Sequence, residues 1–263
     1  MSAPAVFAFN NALVRTPCHA IVNGLRAVDV GAPSYQTVLA EHRAYVEALE
    51  AAGVNVEILS ALDAYPDSMF VEDPALVFTE GAIVMRPGAS SRFGEAQEIA
   101  PVLRRRFSRV IELHGPGFAD GGDILVLKNR VMIGLSDRTT DTGARALSDA
   151  LSALGKNSEI VKTPANILHF KSDCSLLDEQ TILSTKRLAA SGVFEGLTVI
   201  LTPEGEEGAA NALRINDHVF LGAAFPKTRT RLEEAGYRVI PLATSEIAKV
   251  DAGLSCMSLR WWA

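Results

Sequence analysis

Several features that mark other protein classes are missing from this sequence. No uninterrupted apolar stretch approaches the ~20 residues of a transmembrane helix, so we expect no membrane segment. The first residues, MSAPAVFAFNNALVRTP, lack a basic flank followed by a long apolar run, so we expect no signal peptide. The three cysteines are too few and too widely spaced for a disulfide framework. Free thiols are typical of a reducing compartment, and we predict a cytoplasmic protein.

Motifs for metals, phosphate and nucleic acids are absent as well. The sequence has no HExxH motif and no CxxC pair, so we expect no metal site. Gly121 and Gly122 are not followed by the Lys-Ser/Thr pair of a phosphate-binding loop, and we expect no cofactor. The net charge is −6, and the one dense basic run, residues 104–106, falls at the end of a helical pattern, where cations suit the helix dipole. We therefore interpret this run as a solvated helix end and expect no nucleic-acid partner.

The sequence does contain ample material for a core. Its 263 residues are 48% hydrophobic, which is enough to bury a sizeable core. No stretch is low-complexity or linker-like, so we predict that residues 1–263 form a single domain.

One pattern repeats along the chain. A short apolar strand is followed by a polar turn and an apolar return strand, which predicts a β-hairpin. The first strand of each hairpin falls at residues 75–78, 124–127, 175–177, 212–215 and 256–259.

Helical patterns and closing strands follow the first four hairpins. The clearest helices are residues 94–106, 138–154 and 227–235, and Pro101 is expected to bend or divide the first of them. The fifth hairpin is completed from the N-terminal part of the chain, with a strand at residues 5–8, a helix at 35–52 and a strand at 54–59. We thus predict about five ββαβ units that close in a ring. An open α/β sheet is the alternative, but it would alternate single strands with helices and contain no hairpins.

A ring would bring the residues before its five inner strands to one centre. Together these residues supply a thiol, an imidazole and an excess of carboxylates, a set suited to covalent catalysis on a cationic carbon. The five polar clusters are residues 67–73, 120–123, 169–173, 209–211 and 251–256.

Cys256 and His169 are the candidate reacting groups. A free cysteine is usually a small buried hydrophobe, but Cys256 follows Gly253 and Ser255 in the fifth cluster. Cys174 is the rival nucleophile, although its place in a strand favours packing, and Cys18 is expected to be structural. His169 belongs to the third cluster, whereas a lone histidine is usually structural. The other histidines are His19, His42, His114 and His218, and we expect His42 and His218 to be solvated.

Seven segments of the chain resemble one known family. They are YPDSMFVEDPAL, RPGASSRFGE, DGGDIL, GLSDRTTDTG, LHFKSD, AANALRIN and KVDAGLSCMSLR. In this order they are similar to the dimethylarginine dimethylaminohydrolases, which belong to the guanidine-modifying, or pentein, superfamily. The resemblance covers almost the whole chain and implies a five-bladed α/β propeller. It also implies a hydrolase that converts asymmetric dimethylarginine or monomethylarginine to citrulline and dimethylamine or methylamine, through a covalent cysteine S-alkylthiouronium.

The resemblance assigns three catalytic roles. Cys256 would attack the guanidinium carbon, and His169 would protonate the leaving amine and then activate water. Asp120 would hold the guanidinium nitrogens and orient the site, although some family members have Glu at this position. Ala252 replaces a frequent Gly and Ala212 a frequent Cys, and neither change removes a reacting group.

The resemblance also implies a set of substrate-binding residues. Carboxylates would face the guanidinium end and the α-amino group, paired arginines would hold the α-carboxylate, and apolar residues would line the channel and a mobile lid at residues 23–35. These residues are Glu72 and Asp73 for the guanidinium, Asp67 for the amino group, Arg92 and Arg138 for the carboxylate, and Phe70, Leu25 and Val250 for the apolar surfaces.

Two other functions remain open. One is a related amidinohydrolase or arginine deiminase that acts on another guanidino compound, and the other is a non-catalytic binding protein for cationic amino acids. In each case the partner is a small cationic amino acid, and a homodimer is a further expectation. For the enzyme, we predict that the Cys256 thiol is neutral when free and ionises when a cationic substrate binds, because opposite charge lowers a thiol pKa.

Overall fold

The computed structural model describes residues 4–263, whose strands form five separate three-stranded sheets. In each sheet the inner strand pairs antiparallel with the middle strand, which pairs parallel with the outer strand. Because parallel neighbours need a crossover, a helix joins the middle strand to the outer strand in every sheet. The predicted five-bladed α/β propeller of ββαβ units is confirmed.

The first four units follow one another along the chain. The first has strands Ala75–Phe78, Gly81–Val84 and Val110–Glu112 with helix Phe93–Arg106, and the second has strands Ile124–Val126, Val131–Leu135 and Ser158–Lys162 with helix Asp141–Ala153. The third has strands Cys174–Leu176, Thr181–Ser184 and Thr198–Leu201 with the short helix Lys186–Ala189. The fourth has strands Leu213–Ile215, His218–Gly222 and Arg238–Leu242 with helix Pro226–Glu234.

The fifth unit is built from both ends of the described chain. Its inner strand, Leu259–Trp261, pairs antiparallel with Asn11–Arg15, which pairs parallel with Asn55–Leu59. Helix Tyr35–Ala51 provides the crossover, and it begins where the Ser34 side chain accepts a hydrogen bond from the Thr37 N–H. This unit closes the ring as the sequence predicted.

Two strand positions in the fifth unit were predicted wrongly. Residues 5–8 form a turn, and the strand begins at Asn11. The reason is burial: Ala12, Leu13 and Val14 are almost fully buried, whereas residues 5–8 are partly exposed. The inner strand begins at Leu259, because Leu254–Met257 forms a 3₁₀ turn instead of the strand expected at residues 256–259.

Capping residues explain where the helices begin. The second unit's helix begins at Asp141 and not at residue 138, because the Thr140 side chain caps it by accepting a hydrogen bond from the Gly143 N–H. Helix Phe93–Arg106 runs continuously through Pro101, so the proline does not divide it. The three arginines that end this helix are exposed, as expected for a solvated helix end.

The cores lie between neighbouring units. Leu13 and Leu259 of the fifth unit share one apolar cluster with Val84 and Ile99 of the first unit. On the other side of the fifth unit, the ring of Tyr45 packs edge-to-face on the ring of Phe220 from the fourth unit, at 6.3 Å. Each unit therefore buries its apolar faces against its neighbours, which makes the ring a continuous core.

The residues that precede the inner strands meet at one end of the ring axis. They are joined by hydrogen bonds from unit to unit, as the ring prediction requires. The bonds run from the Glu72 N–H to the Cys256 carbonyl (3.2 Å), from the Gly121 N–H to the Asp73 carbonyl (3.0 Å), from the Phe170 N–H to the Asp123 carboxylate (2.7 Å) and from the Ser255 N–H to Asn211 Oδ1 (3.1 Å).

No helix within residues 4–263 is both long enough and apolar enough to cross a bilayer. One side-chain prediction for the helices was wrong, since His42 is buried and not solvated. Its Nε2 has no hydrogen-bond partner among the described residues, and burial lowers the pKa of His42 to about 4. The imidazole is therefore neutral in the folded protein.

We predict that His42 makes the fold sensitive to acid. Its pKa is lower in the folded state than its usual 6.5, so stability is lost as pH falls from about 6.5 to about 4. His42→Leu should remove up to about 3 kcal/mol of this loss. Urea unfolding at several pH values measures it, with the exposed His114→Leu as the control. An unchanged pH dependence in His42→Leu would contradict the assignment.

Candidate active site

A small cavity at the axis collects most of the predicted site residues. Its volume is about 40 Å³, and we call it the cysteine cavity. The predicted residues that line it are Leu25, Asp67, Phe70, Asp73, Arg92, Arg138, His169, Val250 and Cys256. Leu168, Asp251 and Ala252, which had no predicted role, complete the lining. Glu72 and Asp120 do not line the cavity.

Cys256 is held in the 3₁₀ turn Leu254–Met257 and is 9% exposed. The turn requires Gly253, because a Cβ at that position would lie 2.4 Å from Cγ of Asn211. Burial, and then the negative charges of Glu72 and Asp73, raise the pKa of the Cys256 thiol to about 12. The free protein therefore holds a neutral thiol.

The other two cysteines are packing residues, as the sequence suggested. Cys174 is 1% exposed, its Sγ lies 3.3 Å from the Phe170 carbonyl, and burial raises its thiol pKa. Cys18 is also buried, with its Sγ 3.5 Å from the Tyr65 carbonyl. Neither of them lines the cysteine cavity.

His169 is oriented by Asp120. Its Nε2 lies 2.9 Å from Asp120 Oδ2 and 3.9 Å from Asp73 Oδ1. Burial alone would lower the pKa of His169, but Asp73, Asp120 and Asp123 together raise it to about 9. The imidazole is therefore cationic at neutral pH and can donate a proton.

The close approach of His169 explains one glycine of the Asp-Gly-Gly-Asp segment. A Cβ at Gly122 would lie 2.8 Å from both Cγ of His169 and Oδ1 of Asp73. The Gly122 N–H also donates to Asp73 Oδ1 at 3.0 Å. Glycine is thus needed where two site side chains converge on the backbone.

Asp120 is placed differently from the expectation. It is fully buried, and both its oxygens are occupied: Oδ2 contacts His169, and Oδ1 accepts the Gly88 N–H at 2.6 Å. The structure thus places Asp120 behind His169 and away from the cavity that would receive a guanidinium. The residue type was visible in the sequence, but the direction of its carboxylate was not.

Glu72 also points away from the cysteine cavity. Its Oε1 lies 2.5 Å from Lys171 Nζ and 3.1 Å from NH2 of Arg260, and its Oε2 accepts from Ser255 Oγ at 3.0 Å. The carboxylate is 3% exposed, so these partners satisfy a buried charge. Glu72 therefore stabilises the turn that contains Cys256 through its bond to Ser255. It does not face the cavity in which a guanidinium was expected.

Arg92 is a buried arginine with fixed orientation. Its guanidinium pairs with Glu95 Oε2 at 2.7 Å, pairs with Asp73, and donates to the Phe70 carbonyl at 2.8 Å. Burial would lower the pKa of Arg92, but Glu95 and Asp73 raise it above its usual value. Burial would raise the pKa of Asp73, but the positive charges of His169 and Arg92 lower it below its usual value.

The far end of the cavity carries one carboxylate and one free cation. Asp67 Oδ1 accepts the Leu25 N–H at 3.0 Å, and burial raises the pKa of Asp67. The Arg138 guanidinium makes no ion pair or hydrogen bond within residues 4–263. A ligand with an ammonium and a carboxylate on one carbon therefore suits this end.

The expected lid, residues 23–35, is attached at three points. Leu25 is bonded to Asp67, the Ala27 N–H donates to Asp251 Oδ2, and the Ser34 N–H donates to Glu246 Oε2 at 2.6 Å. Between the last two attachments Val28 and Val30 are 67% and 62% exposed. These contacts hold the loop over the cysteine cavity.

Asp123 also holds the site together, although no role was predicted for it from the sequence. Its carboxylate accepts from Ser136 Oγ and Thr139 Oγ1, both at 2.6 Å, and from the N–H that follows His169. Burial raises the pKa of Asp123 to about 6. It thus joins the loop of Arg138 to the segment of His169. Its place in the second polar cluster was the available signal.

Three site residues could in principle coordinate a cation. Ligand atoms of Asp73, Asp120 and His169 lie within 4.8 Å of one another. Each residue already has protein partners, since Asp73 contacts Arg92, and Asp120 contacts His169.

Comparison with known proteins identifies the family. Residues 21–162 match the family model described as N,N dimethylarginine dimethylhydrolase, eukaryotic. An N(G),N(G)-dimethylarginine dimethylaminohydrolase from Pseudomonas aeruginosa is 36% identical over 254 residues, covering 96% of this chain and 100% of the relative. The chain belongs to the dimethylarginine dimethylaminohydrolase family. The resemblance stated from the seven segments is thus confirmed.

Further relatives agree with this family assignment. A dimethylarginine dimethylaminohydrolase from Streptomyces coelicolor is 31% identical, covering 95% of this chain and 96% of the relative. The solved structure of the Pseudomonas aeruginosa enzyme, a cysteine-to-serine mutant complexed with citrulline, superposes with a TM-score of 0.93, covering 97% of this chain and 100% of that one at 36% identity. The N-terminal domain of ArgZ, at 17% identity and a TM-score of 0.85, shares the fold.

We predict that Glu72 keeps the free thiol protonated. The negative charge of Glu72 raises the thiol pKa of Cys256 and pairs with Lys171. Glu72→Gln removes this charge and leaves Lys171 uncompensated, so the thiol pKa should fall. At a fixed neutral pH, alkylation of Cys256 should become about tenfold faster. Iodoacetamide labelling followed by peptide mass spectrometry measures this rate at each cysteine. The exposed Glu47→Gln is the control, and an unaltered labelling rate in Glu72→Gln would refute the prediction.

Proposed function

We propose that the protein hydrolyses asymmetric dimethylarginine and monomethylarginine to citrulline, releasing dimethylamine or methylamine. The observation that carries this proposal is that the thiol of Cys256 and the cationic imidazole of His169 line one cavity with Asp67, Asp73 and Arg138. The names of the relatives support the substrate class, as does the citrulline complex of the Pseudomonas aeruginosa enzyme. A solved structure of a dimethylarginine dimethylaminohydrolase with a histidine-to-glycine substitution is an adduct with S-methyl-L-thiocitrulline, which supports a covalent intermediate.

In this proposal the substrate lies along the cysteine cavity with its amino-acid end under the lid. Asp67 attracts the α-ammonium, and Arg138 pairs with the α-carboxylate through its free guanidinium donors. Phe70, Leu25 and Val250 surround the methylene chain. The guanidinium then reaches Asp73 and Cys256, where the buried carboxylate stabilises its charge.

Binding of a cation activates the nucleophile. The thiol pKa of about 12 reflects burial beside two carboxylates. A guanidinium placed next to these carboxylates offsets their charge and lowers the pKa of the thiol, so Cys256 loses its proton to solvent when substrate binds. The thiolate then adds to the guanidinium carbon and forms a C–S bond.

His169 supplies the proton that the leaving amine needs. As the imidazolium it protonates the dimethylamino nitrogen of the adduct, the C–N bond breaks, and neutral dimethylamine leaves an S-alkylthiouronium on Cys256. The neutral imidazole then takes a proton from water, and the hydroxide adds to the same carbon. The C–S bond then breaks while the hydroxyl proton of this adduct passes to the departing sulfur, which gives citrulline and regenerates the Cys256 thiol. Dimethylamine takes up the proton that the thiol first released to solvent.

The proposal also includes the domain organisation of the enzyme and its cellular compartment. We propose that residues 1–263 act as one catalytic domain and that the protein works in the cytoplasm, where a reducing environment keeps Cys256 as a thiol. A homodimer stays a prediction.

Product analysis tests the reaction and its nucleophile. With asymmetric dimethylarginine, we expect citrulline and dimethylamine in equal amounts, and Cys256→Ser should reduce turnover at least about a thousandfold. Cys174→Ser, which changes a packing thiol, serves as the control and should keep most of the activity. Citrulline and ammonia from arginine alone would contradict the proposed substrate, and a Cys256→Ser variant of normal activity would contradict the mechanism.

The pH dependence of turnover tests the pair of His169 and Asp120. The pKa of about 9 means that the acid needed for amine departure is lost as pH rises through about 9. In Asp120→Asn the amide donates toward Nε2 and favours the neutral imidazole, so the alkaline limb of kcat should move to lower pH by about one unit or more. Asp149→Asn, an exposed helix substitution, is the control. An alkaline limb that stays in place in Asp120→Asn would rule out this coupling.

A further inference from the structure

A second and larger cavity lies on the ring axis below the Cys256 turn. Its volume is about 290 Å³, and we call it the axial cavity. Glu72, Lys171 and Ser255 line it, so the ion pairs of Glu72 separate it from the cysteine cavity. Partly exposed residues of all five inner strands line its wall: Val77, Val126, Leu176, Arg214, Arg260 and Trp261. The volume is at the lower end of the ~300–1,000 Å³ typical of ligand pockets.

The axial cavity carries an excess of positive charge. Its charged lining residues are the carboxylates Glu72 and Glu80 and the cations Lys156, Lys171, Arg214 and Arg260. Glu80 is paired with Lys156 at 2.8 Å, which leaves Glu72 to balance both Lys171 and Arg260.

Arg214 has no carboxylate partner in the part of the chain that the structure describes. Its Nε donates to the Asn216 carbonyl at 2.7 Å, and its guanidinium lies 5.0 Å from the ring centre of Phe7. Burial lowers the pKa of Arg214, and the negative charges of nearby Asp217 and Asp178 oppose this without forming an ion pair. The lining itself has two more cations than carboxylates, so an anion would be attracted into the cavity.

Two buried polar atoms of the lining also lack partners. Within residues 4–263, neither Nε of Arg260 nor Oγ of Ser175 makes a hydrogen bond, and Ser175 is only 6% exposed. A buried polar group without a partner costs free energy, and native proteins usually satisfy it through the chain, water or a ligand. Most of the other lining residues are apolar, and they include Val77, Val126, Leu176, Trp261 and Trp262.

We infer that the axial cavity is a second ligand site, and that it binds a small monocarboxylate with an apolar body. The carboxylate pairs with the cationic side chains, and the body packs against the aliphatic residues of the inner strands. The site goes beyond the proposed hydrolysis, because cations outnumber carboxylates in its lining, whereas the lining of the cysteine cavity balances Asp67, Asp73 and Asp251 against Arg92, Arg138 and His169. A cationic arginine derivative is repelled here, and the volume limits the occupant to a small molecule.

Glu72 links this site to the reaction. Its carboxylate contacts Lys171 and Arg260 in the axial cavity and Ser255 in the Cys256 turn. An anion that pairs with Lys171 and Arg260 adds negative charge below the thiol and disfavours the thiolate. Occupancy of the axial cavity therefore slows the chemistry of Cys256.

Tryptophan fluorescence gives a direct binding test. The chain has two tryptophans, and both line the axial cavity. We use cyclohexanecarboxylate as the probe, with cyclohexanemethanol and cyclohexylmethylamine as neutral and cationic counterparts of similar shape. The expected result is a saturable change with the carboxylate and at least about tenfold weaker binding of the other two. Equal responses to all three probes, or no saturable change, would overturn the site.

Two variants place the probe within the cavity. Arg214→Gln removes a cation that has no ion pair within residues 4–263 and lies outside the catalytic machinery. It should weaken carboxylate binding about tenfold. Val126→Phe narrows the cavity at its wall and should abolish binding. The exposed Arg105→Gln is the matched control and should bind as the native protein does. Unweakened binding in Arg214→Gln would show that the carboxylate binds elsewhere and would overturn the proposal, whether or not Val126→Phe folds.

Thiol labelling tests the link through Glu72. At saturating cyclohexanecarboxylate, modification of Cys256 by 2-chloroacetamidine should slow at least about twofold, and Arg214→Gln should need about tenfold more carboxylate for the same effect. Because Arg214→Gln leaves Arg138 intact, the shift in this variant excludes binding of the carboxylate at Arg138 as the cause of the slower labelling. Unchanged labelling at saturation would refute the link to the reaction, independently of any turnover measurement.

Discussion

The buried carboxylate of Glu72 is the contact on which the centre of this molecule depends. It takes hydrogen bonds from Lys171, Arg260 and Ser255, which belong to two different units of the ring, while its own backbone N–H bonds to Cys256. A charge in this position is stable only because all these donors are present. The same interaction fixes the turn of the nucleophile, closes the ring axis and sets the electrostatics on both of its sides.

Charge is divided along that axis in a way that suits the chemistry. Above Glu72, Asp67 and Asp73 offer carboxylates to a cation in the cysteine cavity. Asp73, Asp120 and Asp123 raise the pKa of His169, while burial, Glu72 and Asp73 raise the pKa of the Cys256 thiol. Displacement of an amine from a guanidinium needs an acid with a raised pKa and a nucleophile that ionises when the substrate binds. Below Glu72, the cations Lys156, Lys171, Arg214 and Arg260 outnumber the carboxylates Glu72 and Glu80.

The sequence predicted the ring and the meeting of Cys256 with His169, because hairpin periodicity fixes the units and the units fix which segments converge. It could not predict how side chains turn within that centre. Glu72 and Asp120 have the right residue types, yet their carboxylates point to Arg260 and His169, which depends on contacts between units. The prediction that His42 is solvated was wrong for the same reason, since a helical pattern does not reveal which of its polar residues become buried.

Closure of the ring joins segments that are far apart in sequence. Asn10 and Ala263 are bonded across 253 positions, and the strand that follows the Cys256 turn completes the last sheet. Such non-local pairing is slow to form, since most of the chain must be ordered first. The nucleophile is thus assembled late in folding, and partly folded chains expose an ordinary, oxidisable thiol that lacks the shielding of the finished ring.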